Sequence, residues 1–272
     1  MRFAQRQVIL SAMVLVAVAL SGWNGAARAA KSTECTKIGI CYCVNDDLKS
    51  TIAGRVERFR QVIADQRKAG KAIGYLSVPL TSTGGGNYNV NKEVAESAKA
   101  AIEKRFGADF MYVLNPATPD SDLPKGSGAD YMLMWTAVLE GADGLGDFDF
   151  AYFAGPQDFA RYFGFDGNGD MAKLEQYFDK RVKSDPEFEK AVQNGLTKAA
   201  FRRYYALRAS TTVSRGAHDE WNIFRVLNER RRADGKFGTG GQIPMMFDGR
   251  GLAPADAEAT VSEGYVGKCT LP

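Results

Sequence analysis

The chain has 272 residues, 45% of them apolar and 25% charged, with 35 Lys+Arg against 32 Asp+Glu and a single histidine. That composition excludes a low-complexity or disordered chain and suits one large domain or two intimate ones. The basic excess is too small to drive binding to nucleic acid or to an anionic membrane surface.

Residues 1–29 predict a secretory signal peptide. Arg2 and Arg6 precede an apolar run from Val8 to Leu20 broken only by Ser11, and small residues lead to Ala27-Arg28-Ala29, so cleavage is expected after Ala29. The run is about 13 residues, whereas a bilayer span needs roughly 20. The mature chain is therefore expected to be soluble and periplasmic or secreted, with no membrane contact after cleavage, and no cysteine stands at a lipobox position. Losing Arg2, Arg6 and Arg28 takes Lys+Arg from 35 to 32, level with Asp+Glu, so the mature chain is formally neutral. The local basic clusters, Arg202, Arg203, Arg208 and Arg230 to Arg232, read as solvated helix faces.

Cys35, Cys41, Cys43 and Cys269 all follow the leader. An even count in an exported chain predicts two disulfides. A bridge between Cys41 and Cys43 is sterically poor, so one of the three N-terminal cysteines is expected to pair with Cys269 and the other two with each other. Zinc is disfavoured because paired C-x2-C spacing is absent, and no metal site is expected.

In chain order, "NDDLKSTIAGRVERFRQVIADQRKAGK" places Ile52, Val56, Phe59 and Ile63 at helical spacing after the caps Asn45 and Asp46, and stops at Gly70. "AIGYLSVPL" is a nearly continuous apolar run, as expected of a strand buried on both faces. A Gly-rich loop, "TSTGGGNYNVN", leads to a helix from Asn91 to Phe106 with Val94, Ala98, Ala101, Ile102 and Phe106 on one stripe. "DFMYVLNP" is a second strand, "ATPDSDLPKGSG" a loop, "ADYMLMWTAVLEG" a helix with Met132, Trp135, Val138 and Leu139 facing the core, and "FDFAYFAGP" a third strand. Two β-helix-β passages imply parallel neighbours. From Gln157 the pattern turns helical: "QDFARYFG", "DMAKLEQYFDKRV", "DPEFEKAVQNGLTKAAFRRYYALRAS" and "HDEWNIFRVLNERRRA". Only "QIPMMF" beyond Gly235 suggests another strand. The expected fold is α/β: a small three-layer parallel sheet of three to four strands over residues 30–164, with a helical half over 165–272 packed on it.

Ligands of open α/β sheets bind beyond the carboxyl ends of the strands, which marks the loops 81–91, 115–128 and 155–161. In the first, Gly84, Gly85 and Gly86 would let backbone N–H groups approach a ligand. Thr81, Ser82 and Thr83 add hydroxyls, Asn87 stands beside them, and the following helix adds its positive end. The set suits a phosphate, carboxylate or sugar, although it matches neither G-x-G-x-x-G nor a P-loop, and a flexible turn is the alternative. Asn115, Gln157 and Arg161 complete the candidate ligand contacts on the other loops.

Asp166, Asn168 and Asp170 resemble the opening of a calcium loop, but Met171 and Tyr177 occupy the positions that need Gly and a bidentate carboxylate, so a turn capped by Asp170 is expected. No G-x-S-x-G pattern occurs, and any triad would have to use His218, with Ser77 or Ser82 as distant partners. Asp158 and His218 are the candidate acid/base residues. A paired-carboxylate mechanism could also draw on Asp120, Asp122, Asp219 or Glu220. His218, Asp219 and Glu220 are consecutive in a predicted helix start, so their side chains diverge by about 100° steps and cannot share one ligand.

The order "GYLSVPL", Gly-rich loop, "KEVAESAKAAIEKRFG", "MYVLNP", a Met- and Trp-rich helix and "FDFAYFAGPQDF" resembles the nucleoside 2-deoxyribosyltransferase group over residues 72–164. That resemblance implies a parallel sheet holding a nucleoside over its strand ends, with a glutamate nucleophile. The Y-L-A-G-P-type turn expected at the first strand stands here at the third, as "YFAGP", and Asp158 is the carboxylate nearest the nucleophile position. The mature chain as a whole resembles exported bacterial proteins. The leading expectation is a protein that binds a small polar or anionic molecule at its strand-end loops, with no cofactor. The alternatives are a hydrolase or a glycosyl or deoxyribosyl transferase in the same cleft, and a structural or partner-binding protein.

Overall fold

The structure, a computed structural model, describes residues 30–80, 83–207, 209–235 and 241–270. The leader, Thr81, Ser82 and Arg208 lie outside the described residues. The chain begins with a hairpin, β1 (Lys31–Cys35) and β2 (Cys41–Asn45), paired antiparallel. Sequence periodicity misses this hairpin because β1 is polar and the alternation of β2 is only two apolar residues long, Tyr42 and Val44 between cysteines.

α1 (Lys49–Lys68) leads to β3 (Ala72–Ser77), α2 (Tyr88–Phe106) to β4 (Met111–Leu114), and α3 (Gly128–Leu139) to β5 (Phe150–Phe153). Four helices follow: α4 (Pro156–Phe163), α5 (Asp170–Ser184), α6 (Pro186–Gln193) and α7 (Lys198–Leu207). The long α8 (Arg215–Asp234) returns the chain to β6 (Met245–Phe247), β7 (Arg250–Gly251) and a last short helix, α9 (Pro254–Glu258). The single helical stretch expected over 185–210 is two helices, because the chain turns at Gly195, whose φ of +104° is open to glycine.

The sheet order is β4-β3-β5-β6-β7, parallel except for the last pair. It has five strands rather than three to four, and β6 and β7 bring the C-terminal half into the same sheet. Side chains alternate across it as the pleat requires. Ile73, Tyr75, Ala151 and Phe153 pack with α1, α3 and α8 on one face; Leu76, Phe150 and Tyr152 pack with α2, α4, α5 and α7 on the other. Gly74 permits the closest strand contact, since a Cβ there would lie 2.0 Å from the Phe150 ring. Among the described residues, no helix is long and apolar enough to cross a membrane.

The expected stripes of α1 and α3 are buried as read. On α2 the stripe runs instead through Val90, Val94, Ala98 and Ile102, and Phe106 is exposed. Asn45 does not cap α1: its backbone and side-chain N–H groups donate to Asp130 at the start of α3, at 2.8 and 2.6 Å, joining the hairpin to the sheet layer. The disulfides are Cys35–Cys41 and Cys43–Cys269, the second spanning 226 residues.

Residues 259–270 have no regular structure but run as a strap back to the hairpin. Trp221 Nε1 donates to the Ala259 carbonyl, Asn222 exchanges two bonds with Val261, Gly267 N–H donates to the Cys41 carbonyl, and Cys269 ends the path on Cys43.

Candidate functional site

β3 connects to α2 and β4 on one side, while β5 lies on its other side, so the strand order reverses between β3 and β5. Such a switch point ordinarily opens a crevice beyond the carboxyl ends, but the segments after β3 and β5 here lead to α2 and α4 on one face of the sheet, and the opening lies on the other. Beyond the carboxyl ends of β3 and β4 lies a cavity of about 600 Å³, bounded by the segments after those two strands, by α3, by the start of α8 and by the strap.

Glu220 is its central polar group. On α8 the buried stripe runs Ala217, Glu220, Phe224, Leu227 and Arg231, a 3–4 spacing that puts Glu220 where an apolar residue would ordinarily face the sheet. The side chain is 6% exposed. Tyr75 Oη donates to Oε1 and Ser77 Oγ to Oε2, both at 2.5 Å, from the β3 face that turns toward α8. Burial pushes the Glu220 carboxyl up to about 7; the two hydroxyl bonds pull it down and neighbouring Asp219 raises it further.

Around this carboxyl the walls are largely apolar and aromatic. Val78, Leu80 and Met132 line one part, and Tyr88, Tyr131, Trp135 and Tyr265 supply four aromatic side chains. Tyr88 and Val213 are 43% and 40% exposed and mark the open side. Asp122 is a second carboxyl on the wall, accepting from Tyr131 Oη at 3.1 Å. Arg215 is the basic lining residue: its guanidinium lies 4.5 Å from the centre of the Tyr265 ring and donates to the Gly264 carbonyl.

Asp219, one residue from Glu220, points the other way. Its two oxygens accept from the backbone N–H groups of Gly264 and Tyr265, each at 2.7 Å, and so hold the strap and the Tyr265 ring against the cavity. Burial raises the Asp219 carboxyl above its usual range, against the opposing pull of those two bonds. Two glycines make the seat close-fitting: a Cβ on Gly128 would meet the Tyr265 ring at 2.2 Å, and one on Gly264 would meet the Arg215 carbonyl oxygen at 1.9 Å.

His218 faces a third direction. Its Nε2 bonds the Thr212 carbonyl and its Nδ1 bonds Ser262 Oγ, both at 3.0 Å; a carbonyl can only accept, so Nε2 carries a proton. It pins the strap and lines no part of the cavity. The divergence of His218, Asp219 and Glu220 thus holds, but α8 starts at Arg215, capped by Ser214 at 3.3 Å to Ala217 N–H. The acidic pair lies beyond the first turn, buried on specific partners rather than set against the helix dipole.

The other sequence-predicted residues serve local structure. Gly85 approaches α7, not open space: a Cβ there would lie 2.3 Å from the Ala200 carbonyl oxygen. Gly84 and Gly85, with Thr83, form a single helical turn, and Gly86 is buried. Asn87 caps α2 by accepting from Val90 N–H at 3.1 Å, and its own N–H donates to Tyr205 Oη on α7 at 2.9 Å. Asn115 is buried between Glu96 and the Ala117 N–H. Asp158 closes the start of α4, accepting from Gly155 N–H, Tyr152 Oη and Arg161, at 3.0 to 3.1 Å. Gln157 N–H donates to Asp248. None of these residues lines the cavity. Asp170 accepts from the N–H groups of Asp166 and Gly167, as expected of a capped turn. Of the basic cluster, Arg231 is not a solvated residue: it is 8% exposed and donates to the carbonyls of Leu145, Gly146 and Gly241.

The chain matches no protein-family model, no curated protein and no solved structure.

Proposed function

We propose that the protein binds a small molecule in the cavity above Glu220, not at the Gly-rich loop. The observation that carries this reading is a buried carboxyl on the wall of an aromatic cavity beyond the carboxyl ends of β3 and β4. A few convergent polar groups among apolar walls is the composition of small-molecule sites. The leader-like N-terminal sequence and the two disulfides support a periplasmic or secreted setting. The resemblance of residues 72–164 to nucleoside 2-deoxyribosyltransferases puts nucleosides among the ligands to screen, beside sugars, organic acids and amines.

Thermal-shift screening of these four classes tests the reading on the wild type, Glu220→Gln and Gly85→Val. A ligand should raise the wild-type melting temperature by several degrees and lose much of that effect in Glu220→Gln. Gly85→Val should melt earlier but bind unchanged, because Gly85 packs on α7. A ligand effect lost in Gly85→Val and kept in Glu220→Gln would return the site to the Gly-rich loop.

A second reading is an acid/base enzyme, a hydrolase or glycosyl transferase. It is favoured by Glu220, held near half-protonation at neutral pH, sharing the cavity with the carboxyl of Asp122. Turnover of a glycoside or nucleoside that disappears in both Glu220→Gln and Asp122→Asn would replace binding by catalysis.

A further inference from the structure

Glu220 has hydrogen-bond donors but no counter-charge. Tyr75 and Ser77 reach it from β3, and among the described residues no lysine or arginine forms an ion pair with it. Buried carboxylates are ordinarily paired, because a lone buried charge is expensive. The groups around it are neutral or acidic. They are Tyr42 on β2, which gives its hydroxyl to Thr136; Asp219 beside it on α8; Tyr131 on α3; and Asp122 across the cavity. The basic lining side chain, Arg215, already lies on the Tyr265 ring and the Gly264 carbonyl.

The cavity itself is then the direction from which a positive charge can come. Its four aromatic side chains strengthen that preference, since ring faces are electron-rich and attract ammonium and guanidinium groups. The Arg215–Tyr265 stack already shows a cation on one of these rings. Two helix ends oppose it, α3 at Gly128 and α8 at Arg215. Each carries only about half a positive charge, however, and at α3 the carboxylate of Asp130 sits in the capping box with Ser127.

We propose that the ligand of this cavity is an organic cation, a protonated amine or quaternary ammonium on an apolar body, with its charge against Glu220 and its body against Trp135 and Tyr131. The proposal rests on the reading of the cavity as a ligand site and names the class of ligand. One consequence separates it from simple shape recognition. A cation favours the ionised carboxyl, so binding expels the proton that Glu220 holds below about pH 7.

Isothermal titration of the disulfide-intact protein with benzylammonium chloride, benzyl alcohol and sodium benzoate tests it. Benzylammonium is expected to bind about tenfold more tightly than benzyl alcohol, with benzoate weakest. Its affinity should rise about tenfold from pH 6 to pH 8, with proton release seen as a dependence of the heat on the buffer's ionisation enthalpy. In Glu220→Gln both the preference and the pH dependence should vanish. Should that variant fail to fold, the pH series and the proton release on the wild type decide alone. Equal or tighter binding of benzyl alcohol or benzoate overturns the cation assignment and leaves the cavity a ligand site. Silence from all three probes also overturns it, and the wider thermal-shift screen then decides separately whether the cavity holds any ligand.

Discussion

At the scale of single residues, Glu220 departs from the rule that an amphipathic helix turns apolar side chains inward. Its carboxyl sits at about 7 when folded and near the ordinary 4.5 when unfolded, so the folded state holds its proton more tightly. The stabilisation this represents is complete below pH 4.5 and is lost as pH rises through 7, by about 3 kcal/mol in all. Glu220→Gln, which cannot ionise, should therefore lose less stability than the wild type between pH 5 and pH 8 in urea unfolding. Parallel pH profiles for the two would show that the carboxyl is not titrating in this window. Little of this was legible beforehand. Glu220 could be named as a carboxylate in a helix, but its burial depends on α8 crossing over Tyr75 and Ser77, residues more than 140 positions away in sequence. The same dependence on distant packing misled the reading of Gly85, whose lack of a side chain serves the approach of α7.

At the scale of elements, α8 and the strap act together. Asp219 accepts from two backbone N–H groups, Asn222 donates one bond to Val261 and accepts one from it, and His218 bonds Ser262, so three residues on two neighbouring sides of one helix fix a segment that has no regular structure. Hydrogen bonds to a charged group contribute about 1.5–3 kcal/mol each. Asp219→Ala should consequently speed amide exchange at Gly264 and Tyr265 by about tenfold or more. Exchange in β3 should stay close to the wild-type rate. Unchanged exchange at Gly264 and Tyr265 would mean that the disulfide and glycine seat alone hold the strap. Elements with long apolar runs or clear 3–4 spacing, such as β3, β5, α1 and α3, could be read from sequence because burial on one or both faces dictates their composition. The hairpin β1–β2 and the strap could not: the alternation of β2 covers Tyr42 and Val44 alone, and hydrogen bonds and a disulfide to remote segments hold the strap.

At the scale of the whole molecule, the two disulfides differ in what they constrain. Cys35–Cys41 closes a turn within six residues, whereas Cys43–Cys269 closes a loop of 226. The chain-entropy model assigns about 2 kcal/mol to the first and about 5 kcal/mol to the second. Replacing the Cys43/Cys269 pair by serine should lower the melting temperature by on the order of 10 °C, and replacing Cys35/Cys41 by clearly less. The reverse order in calorimetry would show that the hairpin, not the end-to-end tie, limits stability. Sequence reasoning reached the existence of such a tie from cysteine number and spacing, and left its partner among three cysteines open because only the strand register decides it.

The strap also sets an order in time. Ribosomes make the hairpin well before Tyr265 and Cys269, and β6, which lies between β5 and β7, follows some ninety residues after β5. A chain that has formed β3, β4 and β5 with their helices can set Tyr75 against Trp135 of α3, yet the part of that face which α8 covers stays open until α8 arrives. Until α8 docks, a partly folded chain would leave an open apolar face where its cavity will be, in whichever compartment it folds. A folding helper that covers that face would be competing, residue for residue, with the chain's own C-terminal half.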